Sequence, residues 1–82
     1  MITQSTHFPN ICMVDYGDTT ESQLSEYFID NPKTCIVVVT GLRSLGRYAE
    51  NHALSFVKRS LRANLTIKGH IQENSDTIKI YL

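Results

Sequence analysis

The sequence has little cysteine, no long hydrophobic run and no excess of charge, and each absence narrows what it can be. Its two cysteines, Cys12 and Cys35, are too few for a disulfide framework or a four-ligand zinc site. Both sit in apolar stretches, the usual setting of buried reduced thiols. No run of ~20 apolar residues is present to span a bilayer. The opening MITQSTHFPN lacks the basic and apolar regions of a signal peptide, so a cytoplasmic or nuclear, intracellular protein is expected. Repeats, low-complexity stretches and linkers are absent as well. Eighty-two residues allow one core, because a chain this short buries only ~60% of the surface its unfolded form exposes.

Eight Lys and Arg against eight Asp and Glu would argue against a nucleic-acid partner, but the order of the charges matters. Up to Leu42, Asp15, Asp18, Glu21, Glu26 and Asp30 face only Lys33. From Arg43 onward, Arg43, Arg47, Lys58, Arg59, Arg62, Lys68 and Lys79 face Glu50, Glu73 and Asp76. The first half is acidic and the second basic.

Residues 1–9 are polar and patternless and read as a flexible N-terminal arm ahead of one domain, 10–82. Asn10 to Tyr16 reads as a strand, with Ile11 and Met13 on one face and Cys12 and Val14 on the other. Thr20 followed by Gln23 matches a capping box, so a helix begins near Glu21 and carries Leu24, Tyr27 and Phe28 toward the core. Asn31-Pro32 ends it, since the residue before proline disfavours helical geometry. Thr34 to Thr40 is a β-branched run bounded by Pro32 and Gly41, as in a central strand. Gly41 to Ser44 turns the chain into a helix from about Leu45 to Ala63, with Ser44 as N-cap.

The remainder alternates. Leu65, Ile67, Gly69 and Ile71 oppose Thr66, Lys68, His70 and Gln72; after a turn at Glu73 to Asp76, Ile78, Ile80 and Leu82 oppose Thr77, Lys79 and Tyr81. This predicts a hairpin with one apolar face and one wet face, open to solvent or to a partner. The whole is an α+β fold, β-α-β-α-β-β, with a four-stranded mixed sheet and two helices on one face.

The second helix is the informative element. At ~100° per residue, Leu45, Ala49, His52, Ala53, Phe56 and Ser60 form an arc toward the sheet, and Arg43, Arg47, Lys58 and Arg62 fall roughly opposite. Leu54, Val57 and Leu61 make a second apolar stripe, either a dimer contact or a widening of the core arc. A row of guanidinium and ammonium groups suits a phosphate backbone, because each neutralised phosphate releases counterions. Ordinary surface charge has the same spacing.

No constellation for chemistry can be named. Gly41 to Tyr48 follows a strand and opens a helix with glycines five apart, but Arg47 and Tyr48 stand where a phosphate-binding loop needs Lys and Ser or Thr. His7, His52 and His70 share no metal-ligand or nucleophile–base spacing with a carboxylate or thiol. Asp15, Asp18 and Glu21 could in principle bind a cation, but capping of the first helix by Asp18 and Thr20 accounts for the cluster more simply. A non-enzymatic protein without cofactor or metal is expected.

From Cys35 to Leu82, the strand IVVVTG, the turn with Arg43, the helix-opening SLGR of Ser44 to Arg47, the stretch ENHALSFVKRSL, the strand LTIKGHI and the closing DTIKIYL together resemble the Alba family of small chromatin and RNA-binding proteins and the related small protein subunits of ribonuclease P and MRP. The resemblance implies a dimer, with itself or a related subunit, that binds duplex DNA or RNA. Binding would run through basic residues at the turn and start of the second helix, here Arg43 and Arg47, and through a hairpin, here Lys68. The basic motif that the family carries after its first strand is here Asp15-Tyr16-Gly17-Asp18, and the short hairpin resembles the ribonuclease P type. The expectation is therefore a dimeric protein contacting RNA or DNA backbone through Arg43, Arg47, Lys58, Arg62 and Lys68. The rival is a protein-interaction subunit that joins a larger assembly through Leu54, Val57, Leu61 and the acidic first helix.

Overall fold

The capping box predicted at Thr20 forms and starts the first helix. Gln23 N–H donates to Thr20 Oγ1 at 3.1 Å, and Thr20 N–H donates to Gln23 Oε1 at 2.9 Å. The computed structural model describes residues 1–62 and 65–82. Along it run β1 (Ile2–Gln4), β2 (Ile11–Asp15), α1 (Glu21–Asp30), β3 (Ile36–Thr40), a 3-10 segment (Arg43–Tyr48), α2 (Ala49–Leu61), β4 (Gly69–Gln72) and β5 (Ile78–Tyr81). Asn31 closes α1, its backbone N–H and Nδ2 both donating to Tyr27 O at 2.9 and 3.0 Å, just before Pro32.

The fold is α+β, with a mixed sheet in the order β1-β2-β3-β5-β4. β2 and β3 are parallel, joined through α1, and the other neighbours are antiparallel. The sheet has five strands, not the four expected. Within the polar N-terminal stretch, Ile2–Gln4 pairs with the edge of β2, Ile2 opposite Val14 and Gln4 opposite Cys12. Backbone hydrogen bonding to an otherwise unpaired edge makes this strand, which hydrophobic periodicity cannot signal.

One face of the sheet is covered. Cys12, Val14, Val37, Val39, Ile78 and Ile80 are all fully buried and form one cluster with Leu24 of α1 and with Ala53, Phe56 and Val57 of α2. Each of the valine, leucine, isoleucine and phenylalanine side chains among them contributes ~1.5–3 kcal/mol of burial free energy. The opposite face carries Met13, Val38, Lys79 and Ile71 in one row across the strands. Met13 and Ile71 there are 51% and 53% exposed.

Two expectations about the second half need correction. The helix does not run unbroken from Leu45: α2 starts at Ala49, after a 3-10 segment kinked at Gly46, whose φ of 56° and ψ of −127° lie outside helical space. Ser44 therefore does not cap it. α2 ends at Arg62 in the left-handed conformation, φ 49° and ψ 45°, and the expected last residue, Ala63, lies outside the described residues.

The hairpin also has a different register. Gln72 pairs with Ile78, so five residues make the loop instead of four. Because side chains alternate, a one-residue slip moves every side chain of β4 to the other face. His70 and Gln72 thus lie on the covered side beside Ile80 and Ile78, and Ile71 lies on the open side beside Lys79. Of the segment 65–72, only Gly69–Gln72 is strand. Among the described residues no helix is long and apolar enough to cross a membrane.

Candidate nucleic-acid interface

The turn leaving β3 is held by its two ends. Gly41 has φ 76°, and a side chain there would collide with the Asp15 carboxylate. That carboxylate accepts the Gly17 N–H at 3.0 Å. Leu42 is fully buried, and its N–H donates to Asp76 O at 3.2 Å, tying the turn to the hairpin loop. With Leu42 anchored, the 3-10 segment that follows projects Arg43 and Arg47 into solvent. Arg47 Nη2 donates to Tyr48 Oη at 2.9 Å, and its guanidinium carbon stands 5.1 Å from the ring centroid, a cation–π geometry. Tyr48, 54% exposed, was missed from the sequence; its signal was the Arg-Tyr step in a turn.

Lys58, Arg62 and Lys68 gather at the other end of α2. Lys58 and Arg62 are one turn apart, and Lys68 comes from the segment that leads into β4. Between α2 and that segment runs a groove of about 790 Å³. Leu54, Leu61, Leu65 and Ile67 give it an apolar lining, Lys58 and Lys68 belong to its two sides, and among the described residues no acidic side chain lines it. At its β4 end His70 is hydrogen-bonded to Glu50 of α2. His70 therefore has a partner within the fold and does not point to the open face of the hairpin.

All five predicted cations, Arg43, Arg47, Lys58, Arg62 and Lys68, are exposed, and among the described residues none of them pairs with a carboxylate. By contrast, Arg59 meets Glu21 at 3.7 Å and Lys79 meets Glu73 at 3.2 Å. The five do not form one patch. At 1.5 Å per residue the ends of α2 are about 18 Å apart, so Arg43 and Arg47 form one cluster and Lys58, Arg62 and Lys68 another.

The stripe Leu54, Val57 and Leu61 is not a free surface. Val57 is 0% and Leu61 2% exposed in the protomer's own core, because α1 packs against α2 and widens its buried arc. Leu54 is half-buried and lines the groove. His52, placed by periodicity in the core arc, is exposed instead, its Nδ1 3.2 Å from Tyr16 Oη. Cys12 and Cys35 are free thiols. Burial pushes the Cys12 thiol up to about 12, which holds it neutral and unreactive. Among the described residues no three His, Cys, Asp or Glu side chains gather closely enough to hold a metal ion.

No protein-family model, no curated protein and no solved structure matches this chain.

Proposed function

We propose that the protein binds nucleic acid without catalysis, by contacts to the sugar-phosphate backbone from the two basic clusters that flank α2. The observation that carries this reading is that five exposed cations lie along one helix and its flanks with no carboxylate partner among the described residues, although eight acids are present in the chain. Unpaired Arg and Lys groups are available to phosphate at no cost in broken ion pairs. Arg43 and Arg47 hold one length of backbone and Lys58, Arg62 and Lys68 another. The reading agrees with the resemblance to Alba-type and ribonuclease P-type proteins in its basic turn and second helix.

The test is an anisotropy titration of labelled duplex DNA, duplex RNA and single-stranded RNA across a salt series. Affinity should fall steeply with salt, and Arg43→Glu with Arg47→Glu should lower it at least about tenfold and flatten the salt slope by about 2 for a duplex. Unchanged affinity in that double variant would refute the turn as a contact site.

The open sheet face favours a second reading, assembly through protein contacts. Met13, Val38 and Ile71 lie in one row there, with Lys79 already neutralised by Glu73. Self-association, or union with a related subunit, would use this face and not the helix stripe. Sedimentation of Met13→Asp with Ile71→Asp should then show a smaller species than the unaltered protein, and the same species for both would rule the face out.

A further inference from the structure

The groove beside α2 differs from the turn in one respect that bears on ligand class: it joins an apolar lining to paired cations. A phosphate backbone alone has no use for Leu54, Leu65 and Ile67, and Leu65 is left 43% exposed there. An acidic surface alone would not need them either. A nucleotide that has left its stack needs both, a surface for the face of its base and cations for the phosphates on either side. In a duplex the base faces are hidden by stacking, so only a single strand can present one to this lining.

We infer that the groove seats an unstacked nucleotide of a single-stranded nucleic acid, its base against Leu54, Leu65 and Ile67 and its flanking phosphates on Lys58 and Lys68. Three observations carry the assignment. The groove's volume of about 790 Å³ lies within the ~300–1,000 Å³ of clefts that take small organic groups. Lys58 and Lys68 stand on opposite sides, and among the described residues no Asp or Glu is in the lining itself, Glu50 meeting it only through His70. Asn51, Ser55 and Thr66 supply donors and acceptors along the lining, which suit a base edge and would be idle beside a purely apolar ligand. His70, also on the lining, is hydrogen-bonded to Glu50 of α2, so that end of the groove is taken up by a pair within the fold.

This inference rests on the nucleic-acid reading, and the experiment separates the two. Labelled oligouridine, an oligomer of equal length whose central sugars lack bases, and duplex RNA are titrated with the unaltered protein, with Lys58→Glu plus Lys68→Glu, and with Arg43→Glu plus Arg47→Glu. Loss of the central bases should weaken binding measurably, because the apolar contact of the base with Leu54, Leu65 and Ile67 is lost with it. The lysine pair should weaken oligouridine binding at least about tenfold and lower its salt slope by about 1.4, at an unchanged melting temperature, since both side chains are exposed. Equal affinity for the abasic oligomer overturns the assignment. So does full oligouridine affinity in the lysine variant when the arginine variant has lost it, an outcome that leaves the phosphate-binding reading standing. Failure of the unaltered protein to bind any of the three at low salt removes both. An acidic Glu-Leu peptide that binds where oligouridine does not assigns the groove to a protein chain instead.

Discussion

The two faces of the sheet are made of similar residues and have opposite fates. On the covered face Val14, Val39 and Ile80 are fully buried under α1 and α2. On the open face Met13 and Ile71 are about half exposed, and Val38 between them is half-buried. Side-chain hydrophobicity therefore does not decide burial here; register and the placement of two helices do. A face that is apolar yet uncovered is available for interaction, whereas the covered face supplies the stability that holds α2 and its cations in place.

The comparison is put to its sharpest test by removing the same side chain from each face. Ile80→Ala should cost toward the upper end of the roughly 2–5 kcal/mol seen for buried isoleucine and leucine truncations, and Ile71→Ala no more than about 0.5 kcal/mol, as measured by urea denaturation. A loss at Ile71 as large as that at Ile80, and growing with protein concentration, would mean that the open face is covered by another molecule in solution.

A second difference between the faces is chemical. Cys12 points into the covered side, where desolvation pushes its thiol from an ordinary value of 9.0 up to about 12. In this range the folded state keeps a proton that the unfolded state has released, so rising pH favours unfolding. The stabilisation is intact below pH 9 and is lost progressively between pH 9 and 12, with about 3 kcal/mol gone by pH 11. Cys12→Val, which cannot ionise, should show a shallower alkaline decline in denaturation curves collected from pH 8 to 11. Parallel declines in the two proteins would break the comparison by showing that water reaches the thiol.

Much of the covered side was legible in the sequence because its signals are local. Thr20 and Gln23 marked the start of α1, the β-branched run of Ile36 to Val39 marked the central strand, and Ile78, Ile80 and Leu82 alternated inward as expected. What was not legible depends on partners distant in sequence. Ile2–Gln4 is a strand only because β2 offers an edge, and Ile71 faces outward because the loop before β5 holds five residues. The stripe of Leu54, Val57 and Leu61 reads either as a dimer contact or as a wider core arc, and α1, packed against α2, makes Val57 and Leu61 part of the wider arc. The five cations were legible as basic residues on a helix and its flanks. Their division into two clusters was not, because Lys68 meets Lys58 across a groove that no helical spacing encodes.

The left-handed turn at Arg62 gives this small protein a conflict between durability and use. An L side chain at φ 49° carries ~1 kcal/mol of strain that glycine would not. Part of that relief is offset by the freer unfolded chain of a glycine variant, so Arg62→Gly should raise the melting temperature by no more than a few degrees, and in the anisotropy assay it should bind less tightly, having lost one cation beside the groove. Selection for a tougher protein and selection for a better ligand grip would push this position in opposite directions, so a screen for thermal stability alone would be expected to discard the arginine.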